Sequence, residues 1–391
     1  MKVIGIICEY NPFHTGHKKQ FDILRRQFGE DCKIVCLMSG NFVQRGHPAI
    51  FDKSLRAKAA LLCGADLVLE LPVTYALSSA EGFAAGGVRI LSGFCDYLCF
   101  GSETGDITAL MHTANILLSP DFSPILRKYL DTGISYPAAR QKALVQMGGD
   151  GTILENPNDI LAVEYCKAIL SQKVSMKPLP ILRCGSYHDP LPQPENPSAT
   201  GLRRELQCAG AWQNCVPKEL QALYETAPIH EITCGERAML YRLRTLTDGE
   251  FEALPYGSEG LWRRLMHASR SCATLEEILT TVKTKRYPRS RLDRMVMCAF
   301  LGIFDFPTPS YTRVLGFRET GRAILNAARV VGNFPHIGEQ MSDPYQTLEQ
   351  RCDDLYGLFC RDIPQAPGNK RRIVRIPSPG RCNNDISENP I

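Results

Sequence analysis

Val3-Ile4-Gly5-Ile6-Ile7-Cys8 runs directly into Glu9-Tyr10-Asn11-Pro12-Phe13-His14-Thr15-Gly16-His17, and the reading of this stretch decides the fold. The first six residues are a short apolar run rich in β-branched side chains, the pattern of a buried strand. Pro12 ends it, because proline cannot donate to a ladder and biases Asn11 away from the helical region. Helical spacing resumes from Lys18, with Phe21, Leu24 and Phe28 on one face. Strand, turn and helix in that order put His14 and His17 at a helix N-terminus, where free backbone N–H groups and the helix dipole favour a phosphate. Gly16 removes a Cβ where a phosphate or an adenine must approach the backbone. Two imidazoles there can donate to phosphate oxygens and stabilise charge on a leaving pyrophosphate. Capping or surface histidines fit the same spacing. Their place on the first strand-to-helix turn of an α/β pattern favours a ligand.

Outward from this turn the alternation continues. Lys33-Ile34-Val35-Cys36-Leu37-Met38 predicts a second buried strand, left by a Gly-punctuated loop carrying Asn41, Gln44 and Arg45, groups able to hold a phosphate or carboxylate or simply to face solvent. Asp52 through Leu62 predicts an amphipathic helix with Asp52 as N-cap. Lys53 and Arg56 in its first turn oppose the dipole, which marks either a functional position or an exposed basic face. Asp66 to Pro72 and Cys95 to Phe100 predict the third and fourth strands, with a small-residue helix from Ser79 to Leu91 between them. Strands and helices alternating with short connections argue a parallel sheet with right-handed crossovers. Gly101-Ser102-Glu103 would then leave a strand at the edge where such sheets bind ligands.

Bulk properties suit a soluble protein of two domains: 391 residues, 44% hydrophobic, 22% charged, net charge +4. Sixteen cysteines lie scattered, many in apolar runs and none in a Cys-x-x-Cys pair, which points to small core hydrophobes in a reducing compartment rather than disulfides or a zinc site. The apolar stretch after Lys2 is too short for a signal h-region or a membrane span, so the expected location is the cytoplasm, without a membrane partner.

Further along, Asn156-Pro157-Asn158-Asp159 opens a helix, and Leu179-Pro180-Ile181-Leu182-Arg183 is a short strand ending in arginine. Pro197-Ser198-Ala199-Thr200-Gly201-Leu202-Arg203 places hydroxyls at a helix start with an arginine one turn in, a second phosphate-directed element that also reads as a plain N-cap. After Leu206 strand signals give way to helical runs. Lys283-Thr284-Lys285-Arg286-Tyr287-Pro288-Arg289-Ser290-Arg291 is dense in cations with one aromatic among them, suited to backbone phosphates and an unpaired base, or to a solvated helix start. From Gly368 onward Pro, Gly, Asn and charge predict a flexible tail.

Glu9 to His17 resembles the opening of the tRNA(Met) cytidine acetate ligase family, within the wider HxGH nucleotidyltransferase superfamily. Gly40 to Gly46, Asp52-Lys53, Gly64 to Pro72, Phe100 to Glu103 and Lys283 to Tyr287 resemble further blocks in family order. Thr15, His47, Asp159 and Trp262 depart from the family pattern. The resemblance implies a Rossmann-like HxGH nucleotidyltransferase domain with a parallel sheet over 1–205, a mainly α-helical tRNA-binding domain over 206–365, and a tail over 366–391. It implies an enzyme that activates acetate with ATP, accompanied by Mg2+ bridging phosphates rather than held by protein ligands. The acetyl group would pass through acetyl-adenylate to the wobble cytidine of elongator tRNA(Met).

Catalysis is then expected from His14, His17, Thr200 and Arg203, with Lys18 assisting. ATP would be bound by Ile7, Cys8, Glu9, Tyr10, Asn11, Pro12, Phe13, His14, Thr15, Gly16, His17, Lys18, Lys19 and Gln20, with Gly101, Asn158, Arg183 and Ser198. Lys283, Lys285, Arg286, Tyr287, Arg289 and Arg291 would bind tRNA. A small-molecule adenylyltransferase, a carboxylate–amine ligase using the same site, and a non-catalytic RNA-binding protein are the rival readings.

Overall fold

The computed structural model describes the chain except residues 30, 184–196, 209, 286, 307, 310, 332–335, 338–343, 368–372 and 378–391. Strand β1 (Lys2–Cys8) leads to helix α1 (Thr15–Phe28), then β2 (Cys32–Ser39), α2 (Lys53–Leu62), β3 (Leu67–Leu71), α3 (Ala80–Leu91) and β4 (Tyr97–Ser102). Helix α4 (Pro157–Gln172), strand β5 (Lys177–Leu182) and helix α5 (Ala199–Gln207) complete the first half. The five strands run parallel in the order β3-β2-β1-β4-β5. Strand order therefore reverses between β1 and β4, and the crevice beyond their C-terminal ends is where an open parallel sheet takes a ligand. That crevice is flanked by the His14–His17 turn and by Gly101-Ser102-Glu103.

β1 to β3 are buried along nearly their whole length, as strands covered by helices on both faces must be. One face packs Ile4, Ile34 and Cys36 against Phe21 and Leu24 of α1 and Ala57 and Leu61 of α2. The other packs Val35, Leu37 and Leu69 against Phe83 and Val88 of α3 and Ala162 and Cys166 of α4. Eleven of the fourteen cysteines described as free are buried, and they act as small apolar residues.

The second half is mostly helical, with helices Lys218–Glu225, Ile232–Thr245, Leu261–Ser271, Leu275–Val282 and α6 (Arg289–Leu301). It is not free of strands. β6 (Val314–Arg318) pairs antiparallel with β3, and β7 (Val374–Ile376) pairs parallel with β6, so the sheet has seven strands. Residues 374–376 are thus a sheet edge rather than tail. Val374 and Ile376 are half-buried while Arg375 faces out, the two-residue alternation of a strand. Gly316 in β6 is sterically required: a Cβ there would lie 2.7 Å from the Val374 carbonyl oxygen. The helices are joined to the sheet's loops as well. Phe42, Val73 and Leu77 share one apolar cluster with Met239, Leu265, Met297 and Phe359. Among the described residues, no helix is long and apolar enough to cross a membrane.

Candidate active site

His14 is the N-cap of α1, with extended backbone (φ −142°, ψ 175°), and it closes a reciprocal cap with His17. The Gly16 N–H donates to His14 Nδ1 at 3.1 Å, and the His14 N–H donates to His17 Nδ1 at 3.2 Å. The two rings stack with centroids 3.7 Å apart. Burial, with the guanidinium groups of Arg183 and Arg203 nearby, lowers the His14 pKa to about 3. Burial, His14 and Arg183 likewise hold His17 well below the usual imidazole range. Both rings are therefore neutral at pH 7. Because each Nδ1 accepts a backbone N–H, the ring proton of each sits on Nε2, which is left to donate to an anion.

The wall behind His17 is aromatic. Tyr10 meets it edge-on at 4.8 Å, Phe13 lies tilted to it at 5.4 Å, and both are buried. Tyr10 adopts φ +44°, a left-handed conformation that bulky residues rarely take and that tight sites retain. Of the remaining residues in this stretch, Cys8 is buried against the Leu37 carbonyl, and Ile7 is half-buried. The Glu9 carboxylate accepts the Gln44 N–H at 2.6 Å, and Asn11 Oδ1 accepts the Ile50 N–H. Pro12 is buried, Thr15 and Gly16 are half-buried at the helix start, and Lys19 is exposed. Gln20 Nε2 donates to Cys99 Sγ. Lys18 pairs with Glu219 at 2.9 Å, which raises its pKa through that hydrogen bond.

The second phosphate-directed element arrives at the first. Ser198 caps α5 by accepting the Gly201 N–H at 3.0 Å. Arg203, one turn in, donates to the Asn11 carbonyl at 2.7 Å and to Thr200 Oγ1 at 3.1 Å. Segments nearly two hundred residues apart thus bring two neutral imidazoles, a hydroxyl and a guanidinium around one helix N-terminus.

On the other side of the crevice, Gly101, Asn158 and Arg183 come together. Arg183 lies over Gly101, where a Cβ would come within 2.6 Å of Arg183 Cδ, and its Nη1 donates to Asn158 Oδ1 at 3.2 Å. Glu103 and Asp159, neither foreseen as a site residue, hold this corner. Glu103 accepts from Asn158 Nδ2 at 2.6 Å and from the Asp159 N–H at 2.8 Å. Asp159, fully buried, accepts from Ser102 Oγ and from the N–H groups of Glu103 and Thr104. The departure at 159 is accordingly a clamp that fixes the turn after β4 to the start of α4.

Lys53 and Arg56 are neither an exposed basic face nor aimed at a ligand. Arg56 is fully buried and donates to the carbonyls of Glu9, Ser39, Gly40 and Phe51, which ties the loop after β2 to the loop after β1. Lys53 bonds Glu70 at 2.9 Å and Asp353 at 2.6 Å. Arg313 adds pairs to Glu70, Glu349 and Asp353. The signal for this buried cluster was Glu70, an acid inside the apolar run Leu67-Val68-Leu69-Glu70-Leu71, which demands a buried cationic partner. Its partners 313, 349 and 353 carry no local signal. Among the described residues, no three His, Cys, Asp or Glu side chains gather as a metal site.

The basic stretch differs from its expected form. Tyr287 is 6% exposed, its hydroxyl donates to the Glu259 carbonyl, and Arg291 covers its ring at 5.2 Å, so it is no stacking platform for a base. Arg291 also donates to the Tyr256 carbonyl and Ser258 Oγ. Arg289 forms a two-pronged pair with Glu276 and a third bond to Asp293. Lys283 and Lys285 are exposed. Arg286 lies outside the described residues. Arg264 is exposed and donates to the Thr281 carbonyl at 3.4 Å, two residues from Lys283. Trp262 is half-buried with Arg263 across its ring. His47 sits 3.6 Å from Asp293, a position where an acid would meet a like charge.

A reversing parallel sheet with paired histidines on its first turn defines a HIGH nucleotidyltransferase, and the model of that family (HIGH Nucleotidyl Transferase) matches residues 1–370. The tRNA(Met) cytidine acetate ligase of Acetivibrio thermocellus is 35% identical over 365 residues, covering 86% of this chain and 88% of that protein. The protein of the same name from a Geobacillus species is 36% identical over 384 residues, 92% of this chain and 95% of its own. The crystal structure of apo Thermotoga maritima TmcAL matches with a TM-score of 0.88 and 29% identity over 97% of this chain and 100% of that one. The same protein bound with alpha-thio ATP matches with a TM-score of 0.84 and 30% identity, over 96% of this chain and 100% of that one. The chain belongs to the tRNA(Met) cytidine acetate ligase family.

Proposed function

We propose that this protein uses ATP and acetate to acetylate N4 of the wobble cytidine of elongator tRNA(Met). An acetate oxygen attacks the α-phosphorus of ATP, the bond to pyrophosphate breaks, and acetyl-adenylate forms. The cytidine amine then attacks the acetyl carbon, the acyl bond to AMP breaks, and the amine gives up a proton to solvent. Presenting the α-phosphate in line is a matter of positioning, and the charge growing on pyrophosphate is met by preorganised donors. His14 and His17 supply neutral Nε2–H donors there, and Thr200, Arg203 and the α5 N-terminus behind Ser198 supply the rest. Gly101, Asn158 and Arg183 take the adenosine side. Magnesium would enter with the triphosphate and be held by its oxygens.

The observation that carries this reading is the bond from Arg203 to the Asn11 carbonyl, which joins the two phosphate-directed motifs into one cradle. The relatives' shared name supplies acetate and tRNA(Met), and the alpha-thio ATP bound by the Thermotoga protein supplies the nucleotide. Mass spectrometry of elongator tRNA(Met) incubated with protein, ATP and acetate tests it. N4-acetylcytidine at the wobble position is the expected product, and its absence overturns the reading.

A further inference from the structure

Residues 256–260 and the start of the helix Leu261–Ser271 are stitched to the basic stretch along its length. The Tyr287 hydroxyl donates to the Glu259 carbonyl at 3.3 Å, and Arg291 donates to the Tyr256 carbonyl at 2.8 Å and to Ser258 Oγ at 2.9 Å. Arg264 reaches the Thr281 carbonyl at 3.4 Å. Trp262 is fixed within this stitching. Its N–H donates to the Gly257 carbonyl at 3.1 Å, a Cβ on Gly257 would lie 3.1 Å from its own Cβ, and its side chain packs against the core of the helical half. The guanidinium of Arg263 lies over the Trp262 ring, 4.9 Å from its centroid. Arg263 is exposed and, among the described residues, has no hydrogen-bond or ion-pair partner. The side of its guanidinium turned away from Trp262 is therefore open to a ligand.

With Tyr287 buried beneath Arg291, the basic stretch lacks the flat surface for an unpaired base that its sequence promised. Trp262 and Arg263 provide one from the neighbouring helix. Of the aromatic rings, indole holds a cation best. A guanidinium is planar and weakly hydrated, and nucleobases stack on it as they do on aromatic side chains. Resting that plane on a fixed indole reduces the side-chain freedom that an exposed arginine otherwise loses on binding. Around the pair the exposed side chains are cationic: Arg264 is its neighbour, and Lys283 and Lys285 follow the Thr281 contact. That charge suits the phosphates flanking a stacked base. We propose that the Arg263–Trp262 pair is a stacking platform for an unpaired base of the tRNA, with Arg264 and Lys283 on the adjoining phosphates. This rests on the function proposed above and deepens it by naming where the RNA surface grips a base.

The test measures binding of an elongator tRNA(Met) transcript, and of a fully paired RNA duplex, to wild type, Arg263→Ala and Arg263→Lys over a range of salt, with thermal melting as the check of fold. In Arg263→Ala the Kd for tRNA is expected to rise about fivefold or more, the loss of one stacked base, and the slope of log K against log salt to fall by about one. Arg263→Lys is expected to keep the slope and leave the Kd raised, because an ammonium brings the charge without the plane. The duplex, which offers no unpaired base, should bind wild type and Arg263→Lys alike. Full recovery of tRNA affinity in Arg263→Lys would make the residue a phosphate contact and overturn the platform. A wild type that binds tRNA no better than Arg263→Ala overturns this inference alone. A wild type that neither binds nor acetylates tRNA(Met) overturns the proposed function and this inference with it.

Discussion

The histidine turn and the basic stretch were both picked out by residue type and spacing, and the structure treats them differently. At the turn, the polar side chains are fixed by the backbone beside them: His14 by Gly16, His17 by His14, Ser198 by Gly201. A helix start leaves N–H groups to be capped, so its neighbours are dictated locally and can be read from order alone. In the basic stretch Arg289 and Arg291 find partners through the tertiary fold. Arg289 reaches Glu276 on the preceding helix, and Arg291 reaches Tyr256. Charge density in sequence shows how many cations there are, while the packing decides which of them are still available to a ligand.

The sharpest way to break this comparison is at the turn. His17→Ala should cut acetate-dependent pyrophosphate exchange by about a hundredfold or more, the loss expected for one preorganised donor at developing charge, with tRNA affinity within about twofold of wild type. Equal damage to both activities would erase the division between the two regions. Next, Lys283→Ala with Lys285→Ala should weaken tRNA binding and lower its salt slope by about one for each cation removed. Tyr287→Phe should leave the slope alone and lower stability by about 1 kcal/mol, read as a shift in Tm, because its hydroxyl serves the fold. A changed slope in Tyr287→Phe would return that residue to the RNA surface.

Asp159→Ala removes the acceptor that gathers Ser102, Glu103 and Thr104. It should lower stability by about 2 kcal/mol and raise the KM for ATP in exchange, with kcat less affected. An unchanged KM would show that the corner after β4 needs no clamp.

The smallest effect concerns the buried ions that join Lys53 and Glu70 to Arg313, Glu349 and Asp353. Burial raises the Glu349 carboxyl to about 7, with Arg313 opposing and Glu70 adding to the rise. The folded protein then keeps a proton that the unfolded chain releases from about pH 4.5 upward. The stabilisation is whole below that point and is lost as pH rises through about 7. Wild-type Tm should fall over that window, and Glu349→Gln should remove that part of the fall.

Much of the fold was legible because β1 to β4 are apolar runs with turn residues between them, and because Asp52 and Ser79 cap where short polar residues should. β6 was missed for a physical reason. Val314-Leu315-Gly316-Phe317-Arg318 is short, is broken by glycine and ends in a cation, and it becomes a strand only because β3 offers it an edge. Of the candidate residues, His14, His17, Ser198, Thr200 and Arg203 stand out by residue type and spacing, while Asn158 and Arg183 enter through the family resemblance. The clamping roles of Glu103 and Asp159 were not legible, since each acts on backbone groups that the fold, and not the local sequence, brings near.

The late arrival of β6 and β7 also matters while the chain is being made. Until residues 314–318 have left the ribosome, Leu67–Leu71 has β2 on one side and nothing to pair with on the other. A bare, apolar strand edge of that kind is a template for joining another chain. Synthesis takes many seconds to cover the intervening stretch at about 5–20 residues per second. The nucleotide half is therefore exposed to aggregation during translation, and premature termination before residue 314 should yield insoluble product rather than a smaller working domain.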